Sequence, residues 1–138
     1  MVRLLIEKGA NLETRPDREK RTALISAAGN GRTAVVQLLL ENGANIKATD
    51  ADGHTAFEIA AHGGRDAVVQ MLLDRGTPTY TKSKTKSTAL MLAVLKGHVA
   101  VVKLLLEARR PNIKAEDSKG RTALEMAVLM VPPPRRRV

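Results

Sequence analysis

Few side chains in this 138-residue sequence could do chemistry, and they are scattered. The imidazoles are His54, His62 and His98, and cysteine is absent. The histidine spacing fits no metal site, and without thiols there is no thiolate zinc centre, disulfide scaffold or cysteine nucleophile. Acidic pairs such as Asp50 and Asp52 sit in the stretch Thr49-Asp50-Ala51-Asp52-Gly53-His54. There they read as turn formers rather than as an acid and base pair. Gly29-Asn30-Gly31 lacks the following Lys-Ser/Thr that lets a glycine-rich loop hold phosphate. The sequence therefore assigns no catalytic residue, no metal ligand and no cofactor, and it reads as a non-enzyme. His54, in a loop, and His62, at a helix end, are expected to be solvated.

What remains is charge. Lys and Arg number 23 against 14 Asp and Glu, giving a basic chain of net charge +9. Arg135, Arg136 and Arg137 supply three of those charges, and other basic residues are spread over Arg15 to Arg21, Lys82 to Lys86 and Arg109-Arg110. Such a surface attracts nucleic acid or anionic lipid without reading sequence. The aromatics are Phe57 and Tyr80 alone, too few for a base-stacking platform. No helix-turn-helix or zinc finger accompanies the charge, so specific nucleic-acid recognition is not expected. Apolar runs such as Val99 to Leu106 are broken by Lys103 and are too short for a transmembrane segment. Met1 to Lys8 lacks a small-residue cleavage signal, so it does not read as a secretory peptide. An intracellular setting, cytoplasmic or nuclear, follows.

The elements that must position these residues come from an internal repeat. Thr22-Ala23-Leu24, Thr55-Ala56-Phe57, Thr88-Ala89-Leu90 and Thr122-Ala123-Leu124 recur at intervals of 33, 33 and 34 residues. Ala27, Ala60, Ala93 and Ala127 follow in step, as do Gly31, Gly64 and Gly97. Val35-Val36, Val68-Val69 and Val101-Val102 then lead into Leu38-Leu39-Leu40, Met71-Leu72-Leu73 and Leu104-Leu105-Leu106.

One unit can be read from its physics. Thr55 suits a helix N-cap, because its hydroxyl can accept from an orphan amide of the first turn. Glu58, three residues on, can reach back to complete a capping box, and Thr122 with Glu125 repeats the arrangement. The first helix runs to the glycines near Gly64, where a left-handed turn needs no Cβ. A second helix follows from about Ala67 to Asp74 and stops at Gly76. Between Gly43 and Thr55 the residues suit an extended loop closed by a tight turn. Two helices this short cannot bury their apolar faces alone, so the units must stack.

In period, glycines and valine-leucine second helix, residues 1 to about 131 resemble the ankyrin-repeat family, whose units open on Thr-Pro-Leu-His-x-Ala. The resemblance implies an all-α fold, an ankyrin-repeat solenoid of stacked helix-turn-helix units joined by hairpin-like loops. Alanine replaces the signature proline in all four units, and Ile25, Glu58, Met91 and Glu125 replace its histidine. Ile25 and Met91 cannot cap, so their helices should start more weakly. His98 stands after a glycine, where the family commonly has histidine, and is expected to be structural.

This register divides the chain into a partial repeat 1–16, repeats 17–49, 50–82 and 83–116, a truncated repeat 117–131 and a Pro/Arg-rich tail 132–138. The chain opens on a second helix, since Met1 aligns with Val35. The last unit should bring valines at 135 and 136 but has Arg135 and Arg136 after Pro132-Pro133-Pro134, and proline stops the helix. Neither end has the polar face of a capping repeat. A piece of a longer array is the plain reading, with coverage of the ends by another chain as the alternative.

The resemblance also implies where to look for binding, on a concave surface of loop tips and first helices. The positions assigned to a partner are Arg18, Arg21, His54, Ile59, Lys82, Lys84, Lys86, Leu92, Leu95, Lys119, Arg121 and Met126. The lysines make a basic rim beside apolar Leu92 and Leu95, which suits an acidic amphipathic segment of a protein partner. The function read here is a non-enzymatic protein–protein interaction module, a scaffold or adaptor, acting as a monomer whose ends permit end-to-end association. The alternatives are an electrostatic binder of nucleic acid or anionic membrane, or a regulatory fragment of a larger multidomain protein.

Overall fold

The computed structural model describes residues 1–16, 18–77, 87–108 and 113–131, and eight helices form within them. They are α1 (Val2–Glu7), α2 (Ala23–Gly29), α3 (Thr33–Glu41), α4 (Ala56–His62), α5 (Asp66–Asp74), α6 (Ala89–Leu95), α7 (Val99–Glu107) and α8 (Ala123–Met130). The first helices α2, α4, α6 and α8 pack side by side as one layer, and the second helices α3, α5 and α7 form another. Each of α3, α5 and α7 also packs on the first helix of its own unit, so the array is two layers thick.

Threonine starts every first helix. Thr22, Thr55, Thr88 and Thr122 have extended backbones, and their hydroxyls accept from the amides of Ile25, Glu58, Met91 and Glu125. The capping box closes at Thr55, where the Glu58 carboxylate accepts from the Thr55 amide at 3.3 Å. At Thr122 only the hydroxyl arm is present, and Glu125 is exposed, so the second expected box does not form. The neighbouring side chains explain the difference. Glu58 is buried and meets His54, whereas Arg121, which stands in the His54 position, turns to Asp117 instead.

Within the units, α4 ends at His62 and the chain reverses through Gly63 and Gly64, the latter at φ +69°. The core then fills from both layers. Leu24, Ile25, Phe57 and Met91 of the first helices meet Val36, Leu39, Val68, Val69, Leu72, Val101 and Leu105 of the second. Burying each such side chain contributes about 1.5–3 kcal/mol, which offsets the lack of aromatics.

Loops tie adjacent units together. The Ala51 amide donates to the Glu19 carbonyl at 2.8 Å, and the Arg15 guanidinium donates to the Thr49 carbonyl at 3.0 Å. Asp50 is the turn former expected of it, because its Oδ1 accepts from the Asp52 and His54 amides at 2.9 Å. Asp117 does the same for Lys119 and Arg121, also at 2.9 Å.

Candidate functional site

The solvent side of the first-helix layer, with the loops leading into it, holds most of the positions assigned from sequence. His54 is half-buried rather than solvated, because its Nδ1 lies 3.4 Å from the Glu58 carboxylate. That hydrogen bond raises the His54 pKa above 6.5 against the opposing effect of burial, and the charges of Glu58, Asp50 and Asp52 help. His62, at the end of α4, is open to solvent as expected. Its pKa is nevertheless lowered, first by partial burial of the ring and then by repulsion from Lys96, His54, His98 and Arg21. The basic side chains of Lys96, His54, His98 and Arg21 thus lie within electrostatic reach of His62.

Arg21 is half-buried and pairs through Nε with Glu19 at 2.9 Å, and Arg18 is exposed. Lys119 is exposed on the last loop. Arg121 grips Asp117 with Nε at 3.0 Å and Nη2 at 2.8 Å. Burial would raise the Asp117 pKa, but the Arg121 and Lys119 amides and the Arg121 charge outweigh it and hold the carboxyl low.

Ile59 and Leu92 occupy equivalent places on α4 and α6 and are both half-buried, and Leu95 is 46% exposed. Ile59 also leans on the neighbouring unit, since a Cβ added at Gly29 would fall 2.9 Å from its Cγ2. Met126, the α8 counterpart of Ile59 and Leu92, is not on the surface. It is only 4% exposed and belongs to the core, its long flexible side chain lying inward instead of projecting. Lys82, Lys84 and Lys86 lie outside the described residues.

Two contacts between units were not anticipated from the sequence. Arg65 Nε donates to the Gly29 carbonyl at 3.0 Å, and His98 Nε2 lies 2.9 Å from the His62 carbonyl. Both side chains open a second helix, and each reaches the same place on the preceding unit. Their common register with Arg32 was the signal for the tether, although their different chemistry conceals it. Among the described residues no group of three His, Asp or Glu side chains is placed to hold a metal ion, and no helix is long and apolar enough to cross a membrane.

A family profile described as ankyrin repeats (3 copies) matches residues 1–83 and 57–131. The chain belongs to the ankyrin-repeat family. Its paired helices and stacked layers are the helix-turn-helix solenoid of that family. Ankyrin repeats generally serve as protein–protein interaction modules, and the family is typically non-enzymatic. Comparison with individual curated proteins gives no match.

Proposed function

We propose that this chain is a non-enzymatic ankyrin-repeat scaffold that holds a segment of a partner protein on its first-helix face. The observation that carries this reading is the presence on the first-helix layer of half-buried Ile59 and Leu92 and exposed Leu95, with basic Lys96 at the end of α6 and Arg21 just before α2. Apolar anchors beside positive charge suit an acidic, amphipathic segment, the charge favouring encounter and the apolar contacts residence. Helices that are already packed lose little freedom on binding, so more of the contact energy appears as affinity. The lysines at 82, 84 and 86 carry the same basic character in the sequence that precedes α6.

The test is capture of partners from nuclease-treated lysate by the purified chain at physiological salt, with mass spectrometry of what is retained. The Leu92→Ser/Leu95→Ser variant serves as comparison. A small set of proteins held by the wild type and released faster by the variant supports the reading. Retention that is equal in both overturns it. The net charge of +9 supports a second reading, salt-sensitive attachment to nucleic acid or anionic membrane. Binding that vanishes with modest salt and ignores the leucine substitutions would select that reading.

A further inference from the structure

We infer that Asn42 is a site of spontaneous covalent modification, losing its side-chain amide to attack by its own backbone, and that the change unseats the end of α3. Asn-Gly occurs twice in the chain, at Asn30-Gly31 and Asn42-Gly43. A glycine after asparagine leaves the approach to the side-chain carbonyl free of a Cβ. The Gly43 amide nitrogen, deprotonated by hydroxide, attacks Asn42 Cγ and closes a cyclic imide. The bond from Cγ to Nδ2 breaks, and ammonia leaves with a proton returned by water. Water then opens the imide at either carbonyl, leaving aspartate or isoaspartate at position 42. The step needs neither oxidant nor reductant.

Neither turn can react as it stands. Asn30 has ψ 1° and Asn42 ψ 16°, which hold the glycine nitrogen away from Cγ. Both glycine amides are engaged, Gly31 with the Ala28 carbonyl and Gly43 with the Leu40 carbonyl, each at 3.2 Å. The carboxamides are engaged too, donating to the Ser26 carbonyl at 2.9 Å and the Leu38 carbonyl at 2.8 Å. Reaction therefore starts from a local opening, and the turn that opens more often is the site.

Surroundings separate the two. Gly31 lies under the Arg65 side chain, where an added Cβ would stand 3.0 Å from Arg65 Cδ, and Arg65 Nε holds the Gly29 carbonyl at 3.0 Å. Thr33, two residues on, already begins α3, so opening there parts two helices and a bond between units. Around Gly43 an added Cβ would meet nothing within 4 Å, and both Asn42 and Gly43 are exposed. A loop follows, with no helix until α4.

The consequence falls on α3, whose C-cap is Asn42. In the same register α1 ends on Lys8 and α5 on Arg75, cations that suit the negative end of a helix. Asn42 is neutral, and its product is an anion beside Glu41 that can no longer donate to Leu38. Isoaspartate also adds a main-chain carbon just before Gly43, in a turn fastened by the Ala44 amide to the Leu39 carbonyl at 3.0 Å. Because α3 packs on α2 and α5, the stack feels the loss.

The full chain, kept in warm, mildly alkaline buffer, is sampled over time and digested. Mass spectrometry reads conversion at each asparagine, and enzymatic methylation identifies isoaspartate. Position 42 should convert at least about fivefold faster than position 30, the factor that one ordinary hydrogen bond supplies. Arg65→Ala, shown to fold by circular dichroism, should raise the Asn30 rate and leave that of Asn42 unchanged. In concentrated urea the two rates should converge. Asn42→Asp should lower the urea midpoint, whereas Asn42→Lys, which restores the cation of its register, should not. Conversion of Asn30 as fast as Asn42 in the folded chain overturns the inference. So does a folded chain whose Asn42 stays intact while the unfolded chain converts, or an Arg65→Ala variant with no effect on Asn30. An Asn42→Asp variant as stable as the wild type overturns the consequence for α3. None of these readouts depends on a partner.

Discussion

His98 Nε2 lies 2.9 Å from the carbonyl oxygen of His62, and the His98 ring rests so closely on Gly64 that an added Cβ there would come within 2.6 Å of Nδ1. A carbonyl can only accept, so Nε2 carries the proton in this contact. One unit earlier, Arg65 makes the matching bond to Gly29 at 3.0 Å. The position that opens α5 and α7 is thus a tether to the preceding first helix, served by two different side chains that share one geometry.

Removing the tether should loosen neighbouring units. His98→Ala is expected to cost about 0.5–1.5 kcal/mol, the net worth of an ordinary hydrogen bond whose partner water can reach. Gly64→Ala should cost about as much or more, since a side chain at φ +69° is strained and must also displace the ring. Urea denaturation of the two variants checks both, and the effects should fall short of additive because they act on one contact.

Lys20 departs from its register in the opposite sense. It has φ +53°, while the equivalent Gly53 and Gly120 have φ +83° and +75°. A left-handed conformation costs a residue with a Cβ about 1–2 kcal/mol. Lys20→Gly should therefore stabilise the chain by up to about 1 kcal/mol after the greater freedom of glycine in the unfolded state is counted. A higher denaturation midpoint at unchanged slope is the expected reading.

The repeat made the architecture legible, because Thr22, Thr55, Thr88 and Thr122 fix where first helices begin whatever follows them. Pairing between side chains was less so. Glu58 and Glu125 stand at one register, yet only Glu58 closes its box, because His54 and Arg121 direct their partners differently. Met126 shows the same limit for the candidate site. Register placed it with Ile59 and Leu92, but the direction a long unbranched side chain takes depends on the space beside it, and here that space is the core.

Asp117 carries the last loop almost alone. Its carboxylate accepts from two amides at 2.9 Å and from the Arg121 guanidinium, while the residue itself is buried. Asp117→Ala should cost about 1–3 kcal/mol through amides left without an acceptor. The carboxyl titrates below its ordinary 3.8, so its contribution is present above that pH and lost as acid takes the pH down through the lowered value. Acid unfolding of the wild type compared with Asp117→Asn should show a shallower acid limb in the variant.

His54 and His62, on the same unit, should titrate in opposite directions from 6.5. The Glu58 hydrogen bond raises His54, so the folded state binds that proton more tightly than the unfolded state does. The stability His54 contributes is then full below about pH 6.5 and disappears as pH rises through its folded value. His62 is lowered by burial and by the cations around it, so its sign is reversed: stability is lost as pH falls below the same reference. His54→Gln should thus be most destabilising in mildly acidic solution and least so in mildly alkaline solution. His62→Gln should be nearly silent when alkaline and stabilising when acidic. Imidazole proton shifts followed by NMR give the two values directly, and denaturation of each variant across that pH range checks the sign. A His62 that titrates above His54 would contradict the partial burial and neighbouring basic groups that lower it. An acidic segment docking beside His62 would favour its protonated form and so bind more tightly as pH falls.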